Sequence, residues 1–150
     1  MQLTYQQATI EYIAEAICQV NATIPEFTST TSQTTLYERL SNPNNSLILV
    51  ARNQTQVVGY KAGYAESSSL FYSWLGAVLP EYRQQGVATT LRVKQEQWAR
   101  ENGYNAIKVK SMNRFPAMLQ MLINNQYHIS GYEDRGSPQN SKICFIKTIT

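Results

Sequence analysis

The chain has 150 residues, enough to bury one core and too few for two comfortable domains, so a single domain over residues 1–150 is expected. Its net charge of +3 comes from dispersed Lys and Arg, which argues against a nucleic-acid partner and suits an anionic cofactor. No apolar run approaches the ~18 residues of a membrane span, and two cysteines make neither a disulfide scaffold nor a metal site, so a cytoplasmic protein without membrane contact or metal is expected.

The first half of the chain is predicted to hold two helices and then three strands. Apolar residues recur every three or four positions near the N-terminus, which predicts a helix, and Pro25 ends that region. Runs of β-branched and aromatic residues, separated by short polar turns, predict the strands. The helices are expected over residues 9–20 and 36–40, and the strands over residues 47–52, 56–66 and 70–78.

The second half is predicted to alternate helices and strands. An amphipathic stretch directs Val87 and Leu91 inward and ends at Gly103, as a helix does. The strand after it alternates apolar and polar residues, with Ile107 and Val109 inward. The helices are expected over residues 87–102 and 116–125, and the strands over residues 106–111, 128–133 and 142–148. This order of elements predicts an α/β fold.

The most informative segment is the turn between the strand that ends near Val78 and the helix that follows it. Pro80 comes after the strand, and Arg83, Gly86 and Ala88 lead into the helix. The first turn of a helix has N–H groups without partners inside the helix, so it attracts phosphate. Small residues let the anion approach the backbone, and an arginine adds a charged fork. The segment is therefore a candidate phosphate cradle.

Two familiar phosphate-binding motifs are missing from the sequence. There is no G-x-x-x-x-G-K-[ST] loop and no G-x-G-x-x-G after a strand. The pattern that is present, R-x-x-G-x-A after a strand ending in V-x-P, resembles the acyl-CoA signature of the GNAT (Gcn5-related N-acetyltransferase) superfamily. The competing interpretation is an ordinary strand-to-helix turn.

The resemblance extends over nearly the whole chain and implies both a fold and a cofactor site. The implied fold has a mixed, largely antiparallel central sheet of six to seven strands, flanked by about four helices and splayed open beside the signature strand. Acetyl-CoA is the implied co-substrate, with its pantetheine arm in the split, bonded by the backbone of Val78 and by Asn113. The segment implied to hold the pyrophosphate comprises Arg83, Gln84, Gln85, Gly86, Val87, Ala88 and Thr89.

The sequence departs from the family pattern near its end. Many members carry a tyrosine in the last helix that donates a proton to the leaving thiolate, and the corresponding residue here is Leu122. Tyr127 stands where phenylalanine is usual, and Asn113 is about two residues away from the common spacing. These departures leave the cofactor assignment in place and leave the general acid unassigned.

Acetyl transfer to an amine also requires a group that removes a proton from the amine, since a free amine has a pKa of ~10. Tyr72 lies six residues before Val78, where some family members hold a glutamate, and two-residue alternation places it on the face of Trp74, Gly76 and Val78. Tyrosine is a poor base at neutral pH, so its expected role is to orient water or the substrate. Glu66, at the end of the preceding strand, is the candidate carboxylate, and a solvated strand end is the competing interpretation.

Other reactive residues have structural interpretations. His128 is the single histidine but follows the last helix, and Cys18 lies on an apolar helix face, so structural roles are expected for both. Glu26 and Phe27 occupy the region that faces the substrate in the family and are possible acceptor contacts.

These observations predict an N-acetyltransferase that moves an acetyl group from acetyl-CoA to a primary amine by direct attack in a ternary complex. The acceptor is a small-molecule amine or a peptide N-terminus or lysine. Two alternatives stay open: an acyl-CoA-binding regulatory module of the same fold with little turnover, favoured by Leu122, and a structural α/β domain without a cofactor. A homodimer is expected through an open edge of the last strand, at residues 142–148.

Overall fold

A computed structural model describes residues 2–24 and 31–150 of the chain. The strands are β1 Thr4–Gln7, β2 Ser46–Asn53, β3 Gln56–Ala65, β4 Leu70–Val78, β5 Ala106–Met112, β6 His128–Glu133 and β7 Lys142–Thr148. The helices are α1 Ile10–Ala22, α2 Gln33–Leu40, α3 Val87–Glu101 and α4 Pro116–Asn124. The strands form one sheet in the order β1-β2-β3-β4-β5-β7-β6, in which only β4 and β5 are parallel. The predicted fold class is confirmed.

One strand has no counterpart among the predictions. β1 is short and mostly polar, so it lacks the apolar alternation that identifies a strand in a sequence. It forms because its backbone pairs with the edge of β2, where Thr4 lies opposite Arg52. A sequence pattern cannot show this pairing between distant residues. Pro25, Glu26 and Phe27 lie outside the described residues.

Helices cover both faces of the sheet. On one face Tyr60 of β3 donates a hydrogen bond of 2.6 Å from its hydroxyl to Asn21 of α1. On the other face a Cβ at Gly59 would lie 3.1 Å from Val87 Cγ1, so α3 packs directly against β3. The two faces are therefore the α1–α2 face and the α3 face, each closed by apolar side chains. The fully buried ones include Ile13, Ile17, Leu36, Phe71, Leu91 and Phe145.

A β-bulge interrupts β4 in its middle. Ala62 pairs with Leu75, but Tyr64 pairs with Tyr72, so β4 holds one residue more than β3 between these pairs. Gly63 lies opposite the extra residue, where an added Cβ would come within 2.4 Å of the Tyr72 carbonyl oxygen. Only glycine fits this close approach of two backbones.

The bulge corrects the predicted orientation of Tyr72. Gly76 and Val78 pair with Lys61 and Gly59, whose side of β3 faces α3, whereas Tyr72 lies on the α1–α2 face. Two-residue alternation fails here because the extra residue reverses the side on which later side chains emerge. Tyr72 keeps Trp74 as a neighbour on its own face, since both rings pack against Tyr64.

The two parallel strands separate beyond the bulge. β4 pairs with β5 only from Leu70 to Ser73, opposite residues 106–109. Residues 74–78 of β4 and residues 110–112 of β5 continue without pairing to each other, and the space between them is here called the cleft. The sheet is thus splayed beside β4.

The expected open edge at residues 142–148 is wrong. β7 lies between β5 and β6, and it pairs with β5 over residues 142–148 and with β6 over residues 142–146. The free edges of the described sheet belong to β1 and β6 because β6 pairs only with β7, on its outer side. A homodimer stays a prediction.

No described helix combines the length and the hydrophobicity needed to span a membrane.

Candidate active site

A network of short hydrogen bonds fixes the turn between β4 and α3. The Leu79 amide donates to the Val58 carbonyl at 2.8 Å, and a single helical turn, Pro80–Tyr82, follows. The Tyr82 hydroxyl accepts from the side-chain amide of Asn53 at 2.8 Å. Gln85 donates from its side chain to the Glu81 carbonyl at 3.1 Å. The turn is therefore fixed by hydrogen bonds to β2 and β3 and by a hydrogen bond within the turn itself.

The N-terminus of α3 presents uncapped amides. Gly86 is the N-cap, has φ of +81°, and brings no capping side chain. Its carbonyl accepts from both the amide and the hydroxyl of Thr90, which starts the helical pattern and leaves the amides of residues 87–89 pointing outward. A Cβ at Gly86 would meet nothing within 4 Å, so glycine is needed there for its backbone conformation and the approach to the amides is open.

Arg83 stands beside this helix terminus as an exposed cation. No hydrogen bond or ion pair joins its guanidinium to another residue in the described ranges. The exposed amides and the guanidinium together fit a phosphate or pyrophosphate.

The edge of β4 that lines the cleft presents backbone groups. Because the Leu79 amide points to β3, alternation directs the amides and carbonyls of Gly76 and Val78 to the opposite edge, into the cleft. An extended molecule with amide groups can pair with this edge as a further strand would. The predicted pantetheine contact at Val78 thus has a suitable backbone, continuous with the candidate phosphate cradle at Gly86.

Asn113 lies just beyond the end of β5, on the far side of the cleft from Val78. Its side-chain amide donates to the Pro138 carbonyl at 3.1 Å and so ties the turn after β5 to the β6–β7 loop. The side chain is exposed, and its predicted contact with the cofactor arm stays a prediction.

Tyr72 is buried among aromatic rings and lysines on the α1–α2 face. Its ring meets Tyr64 edge-to-face at 5.5 Å, and the ammonium groups of Lys108 and Lys110 lie 4.9 and 5.7 Å from the ring centre. Burial raises the pKa of the Tyr72 hydroxyl well above its usual range, so the group is protonated at neutral pH. It makes no hydrogen bond to another described residue, which leaves it available as a donor to a bound molecule.

Glu66 follows β3 directly, in the turn that leads to β4. Its carboxylate is ion-paired with Lys108, the same lysine that lies over Tyr72. The structure therefore brings the two candidate catalytic residues together through one cation. Glu66 stands at the paired end of β4, with the whole strand between it and Val78.

A buried ionic cluster closes the α3 face beside the cleft. Glu96 of α3 accepts hydrogen bonds from Arg92 at 2.9 Å, from Lys147 of β7 at 3.0 Å and from the Tyr127 hydroxyl at 2.8 Å. Burial acts to raise the pKa of Glu96, but these three donors outweigh it and hold the pKa below its ordinary value. The cluster joins α3 to β7 across β5 and so links the two halves of the splayed sheet.

Lys61 lies at the border of this cluster. It pairs with Gly76 at the edge of the cleft, and its ammonium would lie 3.8 Å from a Cβ added there. Burial, helped by repulsion from Arg92, lowers the pKa of Lys61 to about 8, although Glu96 opposes the shift.

The α1–α2 face carries a different set of charges, here called the cationic face. Its members are Arg39, Lys108, Lys110, Arg135 and Lys142, with the carboxylates of Glu66 and Glu133 among them. Glu133 is shared, since Lys110 lies 2.7 Å and Arg135 3.6 Å from its oxygens. This face was not among the features predicted from the sequence. Its signal was the alternation of Lys108 and Lys110 with inward apolar residues, which implies two cations on the opposite side of β5.

The remaining candidates have structural surroundings. Leu122 is 1% exposed and carries no titratable group at the place of the family tyrosine. His128 is exposed at the start of β6, and the Cys18 thiol donates to the Thr31 carbonyl at 3.6 Å. Among the described residues no three His, Cys, Asp or Glu side chains cluster in a way that could hold a metal ion.

Comparison of the sequence with protein families identifies one match. The acetyltransferase (GNAT) family matches residues 14–118, which include β4, the turn at Gly86 and α3. No curated protein matches the chain in sequence.

Solved structures with the same architecture span the whole chain. Ribosomal-protein-S18-alanine N-acetyltransferase from Escherichia coli superposes with a TM-score of 0.86 at 11% identity, covering 99% of this chain and 95% of that one. Ard1 from Thermoplasma volcanium gives 0.85 at 14% identity, covering 100% and 99%. NAA60 from Arabidopsis thaliana, in complex with acetyl-CoA, gives 0.81 at 11% identity, covering 99% of each chain. At identities this low, the structural likeness establishes a shared fold alone.

Proposed function

Because the chain belongs to the GNAT acetyltransferase family, we propose that it transfers an acetyl group from acetyl-CoA to a primary amine. The observation that carries the proposal is the continuous surface formed by the uncapped amides at Gly86 and the free edge of β4 in the cleft. It suits a molecule with a pyrophosphate at one end and an amide-bearing arm that leads to a thioester. NAA60 shares the fold and binds acetyl-CoA, which supports the same choice of donor.

Each end of the donor has a proposed set of contacts. The pyrophosphate is held by the backbone of Gln84, Gln85, Gly86, Val87, Ala88 and Thr89, with Arg83 as the charged partner. The pantetheine arm pairs with the cleft edge of β4 at Val78, and Asn113 contacts it from the end of β5. These contacts place the thioester near the bulge, where the cleft closes between β4 and β5.

The reaction needs no covalent enzyme intermediate. The neutral amine attacks the thioester carbonyl, a C–N bond forms, the C–S bond breaks, and the amine gives up one proton while the departing thiolate takes one up. The protein contributes chiefly by aligning the amine with the thioester and by polarising the thioester carbonyl. Leu122 cannot donate a proton to the departing thiolate. Because the thiol of coenzyme A is acidic enough to leave as its thiolate, the sulfur can take up its proton from water.

Tyr72 and Glu66 are the proposed groups on the acceptor side. The protonated hydroxyl of Tyr72 positions the amine or a water molecule, because burial raises its pKa and prevents it from acting as a base. Glu66, which is ion-paired with Lys108, is the carboxylate that receives the proton through water. Both residues lie on the α1–α2 face, so the acceptor approaches from that side.

Thiol release from acetyl-CoA in the presence of a panel of amines tests the proposal. An acetyltransferase releases thiol in proportion to an added amine and yields an acetylated amine detectable by mass spectrometry. A regulatory module of the same fold binds coenzyme A without amine-dependent release, and a structural domain binds none. Either result would contradict the proposed activity.

A further inference from the structure

The two faces of the sheet offer unequal access to the cleft. On the α3 face, α3 and the buried Glu96 cluster cover the strands on either side of it. On the α1–α2 face the side chains beside it include Trp74, Leu75 and Ala77 of β4 and the cation Lys110 of β5. An acceptor that reaches a thioester in the cleft must therefore cross the cationic face.

Two cations of this face flank the cleft without a carboxylate of their own in the described part of the chain. Arg39 of α2 stacks over Trp74 at 4.7 Å and donates to the Tyr64 hydroxyl at 3.1 Å, so its guanidinium is held in place by neutral groups. Lys142 begins β7 opposite Met112, the last residue of β5, and makes no ion pair with a described residue. The nearest carboxylate, Glu133, already serves Lys110 and Arg135.

The electrostatic state of Lys142 agrees with a surplus of positive charge. Burial lowers the pKa of its ammonium, and the charges of Arg135, Lys110 and Arg39 lower it further against the single opposing effect of Glu133. Three cations from α2, β5 and the β6–β7 loop thus act on one ammonium. A negative charge delivered between Arg39 and Lys142 would relieve this repulsion.

We propose that the acceptor is an amine that also carries a carboxylate, and that Arg39 and Lys142 bind this carboxylate beside the cleft. The inference rests on the proposed acetyl transfer and specifies its substrate class. The exposed arginine fork and the half-buried lysine supply charge-assisted hydrogen bonds to the carboxylate. The same positive potential disfavours the ammonium form of the acceptor and so increases the fraction of the neutral nucleophile.

The proposal also states which amines are disfavoured. A polyamine or a lysine-rich peptide brings further positive charge to a surface that already has an excess of it. Because like charges repel, such acceptors should bind poorly at this face.

A matched panel of acceptors tests the preference directly. 4-Aminobutyrate, 4-aminobutanamide and 1,4-diaminobutane have the same length and differ in the charge at the far end, and glutamate against glutamine gives a second pair. We expect kcat/KM for each carboxylate to exceed that of its amide by about tenfold or more, and the diamine to be poorest. Equal values for carboxylate and amide would overturn the inference and leave the acetyltransferase activity intact.

Variants locate the preference on the two residues. Lys142→Met and Arg39→Gln should each reduce the carboxylate-to-amide ratio about fivefold or more. Lys94→Met removes the same charge from the exposed side of α3 and should leave the ratio unchanged. A reduction of equal size in Lys94→Met would show that net charge, and not this site, sets the preference.

A binding measurement is independent of turnover. In a Trp98→Phe protein Trp74 is the single tryptophan, and it contacts Arg39. Titration with glutarate should give a saturable change in fluorescence, absent with glutaramide and lost in Lys142→Met. If no amine is acetylated but glutarate binds, the proposed function fails and the anion site stands. If glutarate has no more effect than glutaramide, the anion site fails whatever the activity.

Discussion

The two faces of the sheet beside the cleft use similar charged residues in opposite ways. On the α3 face, Arg92 and Lys147 share Glu96, and all three side chains are at most 14% exposed. On the cationic face, Arg39 and Lys142 have no carboxylate in the described structure, and Lys110 shares Glu133 with Arg135. A cluster in which each charge has a partner of opposite sign supports the fold. A cluster with an excess of positive charge is suited to bind an anionic ligand.

The largest expected effect on stability comes from the α3 face. Glu96→Gln keeps the shape of the side chain but leaves Arg92 and Lys147 without a counter-charge, so the free energy of unfolding should fall by about 3 kcal/mol. Glu133→Gln is the matched control on the cationic face, where the carboxylate is 35% exposed, and it should cost under about 1 kcal/mol. Urea denaturation measures both, and equal losses would remove the contrast between the faces.

The same carboxylate gives the α3 face a pH dependence. Because the folded protein holds the pKa of Glu96 below the ordinary value of 4.5, its contribution to stability is complete above that value and is lost as the pH falls through the lower folded-state pKa. The difference in unfolding free energy between the wild type and Glu96→Gln should therefore be constant near neutral pH and shrink in acid. A difference that persists at about pH 2 would mean that the charge of Glu96 is not what stabilises the cluster.

Much of this contrast is absent from the sequence. The helices, six strands and the turn at Gly86 could be predicted because each follows from local periodicity or from positions of glycine and proline. The bulge in β4 could not, because it depends on how β3 pairs with β4 and changes no residue type at Tyr72. The Glu96 cluster joins residues far apart in the chain, so a sequence pattern gives no sign of it.

The sequence indicates only part of the cationic face. The alternation in β5 places Lys108 and Lys110 together, but Arg39 and Lys142 reach them only through the packing of α2 and the position of β7 between β5 and β6. β7 was expected at an edge because order along the chain does not specify order in a sheet.

A smaller effect, on catalysis alone, is expected at Tyr72. Tyr72→Phe removes a hydroxyl that makes no hydrogen bond to a described residue, so stability should change little. If the hydroxyl positions the amine or its water, kcat should fall about fivefold to tenfold with a smaller change in KM. Tyr132→Phe on exposed β6 is the control. Wild-type kinetics in Tyr72→Phe would restrict this residue to packing and make Glu66 the next residue to test.

The most direct test of the whole account is the affinity for coenzyme A measured by calorimetry in a pair of glycine variants. Gly86 and Gly103 stand at opposite ends of α3, both with positive φ and with open space around them, so glutamate imposes a similar backbone cost at each. Gly86→Glu should weaken coenzyme A binding by at least about tenfold, ~1.4 kcal/mol, because the new carboxylate occupies the place of the pyrophosphate. Gly103→Glu should leave the affinity unchanged. Equal affinities in the two variants would contradict the assignment of the donor site to the N-terminus of α3.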